Sequence, residues 1–451
     1  MDYAGALAYL DKHTNLEGGR AGRFATTTGL ATPPMPTAGQ TDGLSLTAMR
    51  ELTDALGRPQ DAFRSIHVTG TNGKGSSARV MAAALGRLGL SVGLYTSPNL
   101  TRINERIAWD GNDIGDEDFA RIIHLLADVE QLMENPPSRF ELLTAAAFTW
   151  FAEQGVEVAV VEVGLLGRFD ATNVVDADVA VITNVGKDHT SGGPGWRAEV
   201  AKEKAGIIKP DSHVILGSTM GELRPIFEQE PSAATWEAGI EFAAESNELA
   251  LGGRVIDLRT PGATYDQLFV PFHGAHQGDN VATAVAALEA FFDRPLEREL
   301  LEETLDQVEL PARFEVMAHN PTLILDGAHN PHGAEAVSAT LNSEFARTGS
   351  WILIVGILEG KGVAEMLDGF DAADFDVVIC TQPDSTRAVP AAVVAAEAER
   401  LGLPTEVIGS PIEALNRATA ISSDEDLILV TGSLYVVAEI RDALVRLRRS
   451  P

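Results

Sequence analysis

The sequence has 451 residues, of which 45% are hydrophobic and 22% are charged, a globular composition long enough for two or three domains. A formal net charge of −31 disfavours nucleic acids and anionic membrane surfaces as partners. No apolar run reaches the roughly 18 residues of a membrane span, residues 1–10 lack a signal-peptide layout, and Cys380 is the only cysteine. We therefore expect a cytoplasmic protein without disulfides.

The first 60 residues combine short helical patterns with a long loop. A helical stretch opens the chain, and a segment rich in Gly, Thr and Pro follows over Thr26–Gly43. The pattern then predicts a helix over about Leu46–Leu56, which Gly57 and Pro59 end.

An alternation of strands and helices begins at Ser65. Short β-branched runs, typical of strands buried on both faces of a parallel sheet, and alanine-rich helical segments follow one another. The predicted strands are Ser65–Thr69, Ser91–Tyr95, Val156–Val163 and Asp178–Thr183, residues 212–272 are rich in strand formers, and the predicted helices are Ala78–Leu88 and Asp279–Phe292.

A second alternating region begins near Pro311. Its predicted strands are Thr322–Asp326, Trp351–Ile357, Val377–Thr381, Thr405–Ile408 and Leu427–Thr431, and an amphipathic helix over Leu434–Leu447 closes the chain. The pattern predicts an α/β protein. We expect an N-terminal P-loop-type parallel-sheet domain over residues 1–308 and a smaller C-terminal Rossmann-like α/β domain over residues 309–451.

A glycine-rich loop joins the first predicted strand of this α/β region to the next helix. Backbone N–H groups in such a loop, the helix N-terminus and a lysine side chain together suit a polyphosphate. The loop consists of Gly70, Thr71, Asn72, Gly73, Lys74, Gly75 and Ser76. It is more compact than the Walker pattern, and Gly75 stands where that pattern has a magnesium-binding hydroxyl. The alternative is a glycine-rich turn without a ligand.

Six further motifs follow this loop in order. They are TSPNL at 96–100 with ERI at 105–107, EVGLLGRFDATN at 162–173, DH at 188–189 with EKAGI at 203–207, HQxxN at 276–280, PxRFE at 311–315 and DGAHNP at 326–331. Together with GTNGKGS they resemble the folylpolyglutamate synthase/dihydrofolate synthase family of the Mur ligase superfamily. The resemblance extends through most of the chain and implies an ATP-dependent ligase that requires magnesium.

A carboxylate and a hydroxyl are candidate magnesium ligands. Glu162 ends a buried strand at the sheet edge where open α/β sheets bind ligands, and its carboxylate is a hard oxygen donor. The resemblance implies that Glu162 bridges two Mg²⁺ ions, that Ser97 supplies the hydroxyl missing at Gly75, and that His189 binds the second ion. From the residues alone, Ser97 also suits a turn, and His189 a structural or solvated role.

Lys204 has two possible roles. Seven of the basic residues are lysines, and four of them lie between Lys187 and Lys209. As an ammonium, Lys204 would be a counter-charge in an acidic pocket. The resemblance implies instead a lysine carbamylated by carbon dioxide, which gives an anion that faces the second metal.

The resemblance assigns further residues to the two cosubstrates. It implies that Arg313 and His329 contact the ATP phosphates, that Asp326 holds the ribose and that Asn280 contacts the nucleotide. Lys361 and Ser433 would bind the incoming glutamate. From the residues alone, Asp326 also suits a helix cap, and Lys361 and Ser433 suit ordinary loop and cap positions.

The acceptor side depends on a shorter segment. Ser138–Glu141 resembles the family stretch that lines the pterin pocket, so Phe140 and Glu141 are candidate pterin contacts; an apolar helix start is the alternative. The sequence departs from the family pattern at Asn99, Leu166, Lys187 and residues 192–196, and its Thr26–Gly43 loop is long.

The expected reaction is attack of a pteroate or folate carboxylate on the ATP γ-phosphate, followed by capture of the acyl phosphate by the α-amine of L-glutamate. Lys74, Lys204, Arg313 and His329 are the candidate catalytic residues. The expected partners are small molecules alone, with neither nucleic acid nor membrane, and the expected state is a monomer. The alternatives are a Mur-type ligase for a non-folate carboxylate and a nucleotide-binding regulatory protein without catalysis.

Overall fold

The computed structural model describes residues 1–15, 37–38, 44–188, 190, 193–218 and 221–449, apart from the side chain of Arg449. His189, residue 192 and most of the Thr26–Gly43 loop therefore lie outside the described residues. The chain divides into two compact units. The first comprises residues 1–247, 255–270 and 278–308, and the second comprises 248–254, 271–277 and 309–451.

The first unit is built on a large sheet with helices on its faces. Its helices are α1 (Tyr3–Leu10), α2 (Thr47–Ala55), α3 (Lys74–Arg87), α4 (Asp116–Glu130), α5 (Arg139–Gln154), α6 (Trp196–Ala205), α7 (Arg224–Phe227), α8 (Ala275–Phe292) from residue 278 onward, and α9 (Arg298–Gln307). Its large sheet contains β1 (Arg64–Thr69), β2 (Val92–Tyr95), β3 (Ile107–Trp109), β4 (Asn112–Asp113), β5 (Val158–Glu162), β6 (Val179–Ile182), β7 (His213–Leu216) and β8 (Ala234–Glu237).

The strand order of the large sheet is β4-β3-β2-β5-β1-β6-β7-β8. The six strands from β2 to β8 in this order are parallel, whereas β3 and β4 add an antiparallel edge. Central strands such as β5 and β6 are buried along their whole length, which explains their continuous apolar sequence. A separate sheet of β9 (Ala243–Ala250), β10 (Gly253–Arg259) and β11 (Thr264–Val270) follows in the chain.

The second unit is a smaller α/β sandwich. Its strands are β12 (Glu315–His319), β13 (Thr322–Leu325), β14 (Trp351–Val355), β15 (Val377–Cys380), β16 (Thr405–Val407) and β17 (Leu427–Thr431). Its helices are α10 (Pro331–Glu344), α11 (Val363–Gly369), α12 (Ala391–Arg400), α13 (Pro411–Ile421) and α14 (Leu434–Arg449). The order is β12-β13-β17-β14-β15-β16, parallel except for β12. The predicted α/β fold class, with a P-loop-type sheet followed by a Rossmann-like one, is confirmed. Among the described residues, no helix has both the length and the apolarity that a bilayer span requires.

Candidate active site

The glycine-rich loop lies at the carboxyl end of β1, and α3 begins at its lysine. Gly73 is the residue before α3 and has a left-handed φ of 81°. A Cβ at this position would also collide with Oδ1 of Asn280 from α8, so both the backbone and the space require glycine. The predicted nucleotide residue Asn280 is therefore adjacent to the loop.

Two residues after β6 hold the first half of the loop. Oδ1 of Asn184 accepts hydrogen bonds from the backbone N–H groups of Thr71 (3.2 Å) and Asn72 (3.0 Å). The carbonyl of Asn72 accepts from Asn184 Nδ2 (3.1 Å) and from Thr183 Oγ1 (2.6 Å). Neither residue is marked in the sequence, because Thr183 and Asn184 lie at the end of a predicted strand and carry no motif of their own.

Lys74 folds back over the loop. Its Nζ donates to the carbonyls of Gly70 (3.1 Å) and Thr71 (3.4 Å). These neutral carbonyls hold the ammonium at the start of α3, where the unpaired N–H groups of a helix favour an anion. The N-terminus of α3 and the lysine charge thus lie together.

Glu162 lies beside this helix start. Glu162 is the last residue of β5 and pairs with Val68, the second-last residue of β1. Only 4% of the residue is exposed. Its Oε2 accepts from the backbone N–H of Ser97 (3.1 Å), and a Cβ on Gly75 would lie 3.4 Å from the same oxygen. Ser97 therefore contacts Glu162, and Gly75 lies next to the same carboxylate.

Lys204 is on α6 with only 3% of the residue exposed. Burial lowers the pKa of its amine to about 7, and the charge of Lys74 adds to the lowering, whereas Asp188 and Asp170 oppose it. Gly167 of the loop after β5 packs on α6, where a Cβ would lie 3.1 Å from the Cα of Lys204. His189 lies outside the described residues. In the part of the chain that is described, no group of three or more His, Cys, Asp and Glu side chains is arranged to hold a metal.

Asp170 organises the loop between β5 and β6, and in the sequence it stood out only as part of a motif. Its carboxylate accepts from the backbone N–H groups of Leu165 (2.8 Å) and Thr172 (3.0 Å) and from the Thr172 hydroxyl (2.5 Å). The Thr172 Oγ1 lies 2.8 Å from Nε2 of the buried His67. Since that hydroxyl donates to Asp170, it accepts from His67, so Nε2 of His67 carries a proton. Burial lowers the pKa of His67 to about 3, which keeps the ring neutral. Burial raises the pKa of Asp170.

Phe140 and Glu141 lie at the start of α5. Glu141 forms a capping box with Ser138: its Oε2 accepts from the Ser138 N–H (2.7 Å) and its own N–H donates to Ser138 Oγ (3.3 Å). The Phe140 ring lies against Gly164, where a Cβ would overlap it, and 6.1 Å from the Tyr95 ring centroid. Phe140 is half-buried against the core, and both candidate pterin contacts thus have structural partners.

In the second unit, three candidate nucleotide residues surround Gly327. Asp326 follows β13 and accepts from the backbone N–H groups of Phe314 (2.8 Å) and Ala328 (2.7 Å). Burial raises the pKa of Asp326, and the Arg313 charge opposes the change. A Cβ on Gly327 would lie 2.8 Å from Arg313 Nη1. His329 Nδ1 lies 2.9 Å from the Gly327 carbonyl; since a carbonyl can only accept, Nδ1 carries a proton.

The two candidate glutamate residues follow neighbouring strands of the second sheet. Ser433 comes after β17, is fully buried, and its Oγ accepts from the Tyr435 N–H (3.1 Å) at the start of α14. Lys361 is half-buried and lies between β14 and α11. Because β13, β17 and β14 are adjacent and parallel, Asp326, Ser433 and Lys361 all follow the same edge of the sheet.

Two protein-family profiles match the chain: "Mur ligase middle domain" over residues 68–288 and "Mur ligase, glutamate ligase domain" over residues 312–434. The dihydrofolate synthase/folylpolyglutamate synthase of Mycobacterium tuberculosis is 38% identical over 439 residues, which cover 88% of this chain and 89% of that protein. The chain belongs to the folylpolyglutamate synthase/dihydrofolate synthase family. The members of this family are ATP-dependent ligases that form an amide bond, and the predicted family and enzyme class are thereby confirmed.

Solved structures of family members have the same fold. Mycobacterium tuberculosis folylpolyglutamate synthase complexed with ADP and AMPPCP matches with a TM-score of 0.84 and 35% identity, over 89% of this chain and 95% of that one. Escherichia coli FolC in complex with DHPP and ADP matches with a TM-score of 0.83 and 27% identity, over 100% of this chain and 99% of that one. A bifunctional folylpolyglutamate synthase/dihydrofolate synthase with Mn, AMPPNP and L-glutamate bound matches with a TM-score of 0.83 and 25% identity, over 99% of this chain and 98% of that one.

Proposed function

We propose that this chain uses ATP to join L-glutamate to the carboxylate of dihydropteroate, of a folate, or of both. The carboxylate oxygen attacks the γ-phosphorus and ADP leaves; the α-amine of glutamate then attacks the acyl carbon, and phosphate and a proton leave. The observation that carries the proposal is the meeting of the α3 N-terminus, Lys74, Ser97 and Glu162 at the carboxyl edge of the first sheet, in a chain of this family. That arrangement offers positive charge where the transferring phosphoryl group needs it.

The residues present fit magnesium. Glu162 offers a buried carboxylate, Ser97 a hydroxyl, and Gly75 leaves the space next to Glu162 Oε2 without a side chain. Glu162 and Ser97 would hold one ion, and Glu162, His189 and a carbamylated Lys204 a second. When bound, the ions neutralise phosphate charge.

Carbamylation of Lys204 is supported by its burial. An unprotonated amine adds to carbon dioxide and loses a proton to give an anionic carbamate. With a pKa of about 7, a large fraction of this amine is unprotonated at neutral pH, whereas an ordinary exposed lysine is almost fully charged.

The second unit would supply the remaining contacts. Arg313 and His329 would contact the ATP phosphates, Asp326 the ribose, and Lys361 and Ser433 the glutamate. In the first unit Asn280 and the residues from Gly70 to Ser76 would bind ATP, with Phe140 and Glu141 on the pterin side. In this proposal residues 1–308 act as the ATP-binding domain and residues 309–451 as the glutamate-ligase domain.

The protein is further proposed to act as a cytoplasmic monomer on small molecules, without nucleic acid or membrane partners. The net charge of −31 supports the exclusion of polyanionic partners.

The test is ADP release with L-glutamate and a panel of dihydropteroate, tetrahydrofolate and muropeptide acceptors. Stimulation by a pterin acceptor is expected, and the pattern separates first-glutamate from later-glutamate addition. If every pterin fails and another acid works, the chain is a ligase for a different carboxylate. If no combination releases ADP, the ligase function itself is refuted.

A further inference from the structure

The loop that carries Arg313 has an unusual backbone. Ala312 and Phe314, which flank Arg313, both have left-handed φ values, of 57° and 49°, and both are buried. Non-glycine residues rarely adopt this conformation, and for a bulky side chain such as Phe it is an outlier. A loop with two such residues in three positions keeps its shape only where surrounding contacts determine it.

Two of these contacts come from the candidate site itself. The Phe314 N–H donates to Asp326 Oδ2 (2.8 Å), and the Ala312 carbonyl accepts from the Gly327 N–H (2.9 Å) and from Arg313 Nη1 (3.1 Å). These bonds turn the Arg313 side chain over Gly327.

The third contact comes from outside the site. Glu315 Oε2 accepts from the Ala312 N–H (2.8 Å), which fixes the first left-handed residue. The same carboxylate accepts a bidentate pair of hydrogen bonds from Arg441 of α14: Nε donates to Oε2 (2.8 Å) and Nη2 donates to Oε1 (2.9 Å). Because a bidentate arginine fixes both the position and the plane of a carboxylate, Arg441 determines where Glu315 presents its oxygen to Ala312.

We infer that Glu315 and Arg441 are positioning residues for Arg313: the pair holds the left-handed loop so that the guanidinium of Arg313 faces the site at Gly327. The inference rests on the proposed role of Arg313 at the ATP phosphate. Neither residue contacts substrate in this scheme, and both act through Arg313. A misplaced transition-state contact lowers kcat more than it raises KM.

The experiment is a double-mutant cycle with Arg441→Ala and Arg313→Ala, measured as kcat and KM for ATP in steady-state ADP release. Arg441→Ala is expected to lower kcat by about 10- to 100-fold with little change in KM. In the Arg313→Ala background it should lower kcat no further, because the group it positions is gone. Arg441→Lys keeps the charge but cannot form a bidentate pair, so its kcat should lie between those of the wild type and Arg441→Ala. It replaces Arg441→Ala in the cycle if that variant does not fold.

Arg446→Ala is the control. Arg446 is on the same helix, pairs with Asp442 and has a side chain 76% exposed, so wild-type kinetics are expected.

The outcomes separate the inference from the proposed function. Wild-type kcat for Arg441→Ala beside a slow Arg313→Ala would overturn the inference and leave the proposed function standing. If the two losses multiply, Arg441 stabilises the unit generally, and the positioning role is wrong. If Arg313→Ala itself has wild-type kcat, the proposed role of Arg313 fails, and the inference fails with it.

Discussion

The amine of Lys204 lies in the interior of the first unit, and the fold therefore disfavours its charge. In the unfolded chain its pKa returns to 10.5, whereas in the native state it is about 7. Between these two values the unfolded state binds more protons than the native state, so stability rises with pH across this window. Below about pH 7 both states are protonated, and the full cost of burying the ammonium is present.

Lys204→Met should therefore stabilise the substrate-free protein while it abolishes activity. In bicarbonate-free buffer at pH 7 we expect a gain of roughly 2–4 kcal/mol, which should shrink as the pH approaches 10. Thermal melting from pH 6 to 10 measures it. Lys202→Met is the control, because Lys202 is exposed on the same helix. A Lys204→Met variant that melts at or below the wild-type temperature at pH 7 would show that the amine is not held in a desolvated site.

Lys74 should matter for turnover far more than for folding. Among the described residues, its ammonium donates to two loop carbonyls, so Lys74→Ala removes charge at the proposed phosphate site with a small structural loss. ADP release is expected to fall by about 10²- to 10³-fold, with a melting temperature close to wild type. Arg87→Ala, at the opposite end of the same helix and paired with Glu303, should turn over normally. Near-normal ADP release by Lys74→Ala would exclude this loop from the mechanism.

At the scale of elements, the glycine-rich loop of residues 70–76 takes its shape from residues that follow the neighbouring strand β6. Asn184→Ala removes the acceptor for the N–H groups of Thr71 and Asn72 and a donor to the Asn72 carbonyl. We expect a loss of about 1–3 kcal/mol in stability and a rise in the KM for ATP without a matching rise in the KM for glutamate. The exposed Asn112→Ala, on the edge strand β4, is the control. Equal changes in both KM values would mean that Asn184 supports the fold rather than the loop.

Elements with a strong local signal were predicted well, and those set by tertiary contacts were not. The buried runs that became β5, β6 and β14 are continuous apolar stretches, and the predicted bounds are within three residues of the observed ones. Helix α3 begins at Lys74, four residues before the predicted start at Ala78. The predicted start was late because Gly75, Ser76 and Ser77 in the first turn have weak helix propensity. The edge strand β4 contains only Asn112–Asp113, both exposed, so no pattern marked it.

The candidate site shows the same division. The motifs and the family resemblance singled out Lys74, Glu162 and Lys204 as candidates, and the chemical roles of these residues stay predictions. The motifs could not predict that Asn184 holds the loop or that Phe314 has a left-handed backbone, because both depend on neighbours distant in sequence. Leu166, where the family pattern has glycine, is left-handed as well, with a φ of 59°; the apolar burial of its side chain offsets a conformation that glycine would adopt without strain.

For the whole molecule, the question is whether the two units together perform one reaction or only bind a nucleotide. An acyl-phosphate mechanism leaves a signature that nucleotide binding or simple ATP hydrolysis cannot. The attacking oxygen comes from the acceptor carboxylate, becomes the bridge to phosphorus, and departs with phosphate when the amine of glutamate attacks the acyl carbon. An acceptor labelled with ¹⁸O in that carboxylate should therefore deliver one labelled oxygen to inorganic phosphate in each turnover, as detected by the isotope shift of the ³¹P resonance. The label should reach phosphate only when ATP, acceptor and glutamate are all present, and in Lys74→Ala it should appear more slowly by the same factor as ADP release. Phosphate released without the label, at the wild-type rate, would mean that water attacks ATP directly and that amide formation does not proceed through an activated carboxylate.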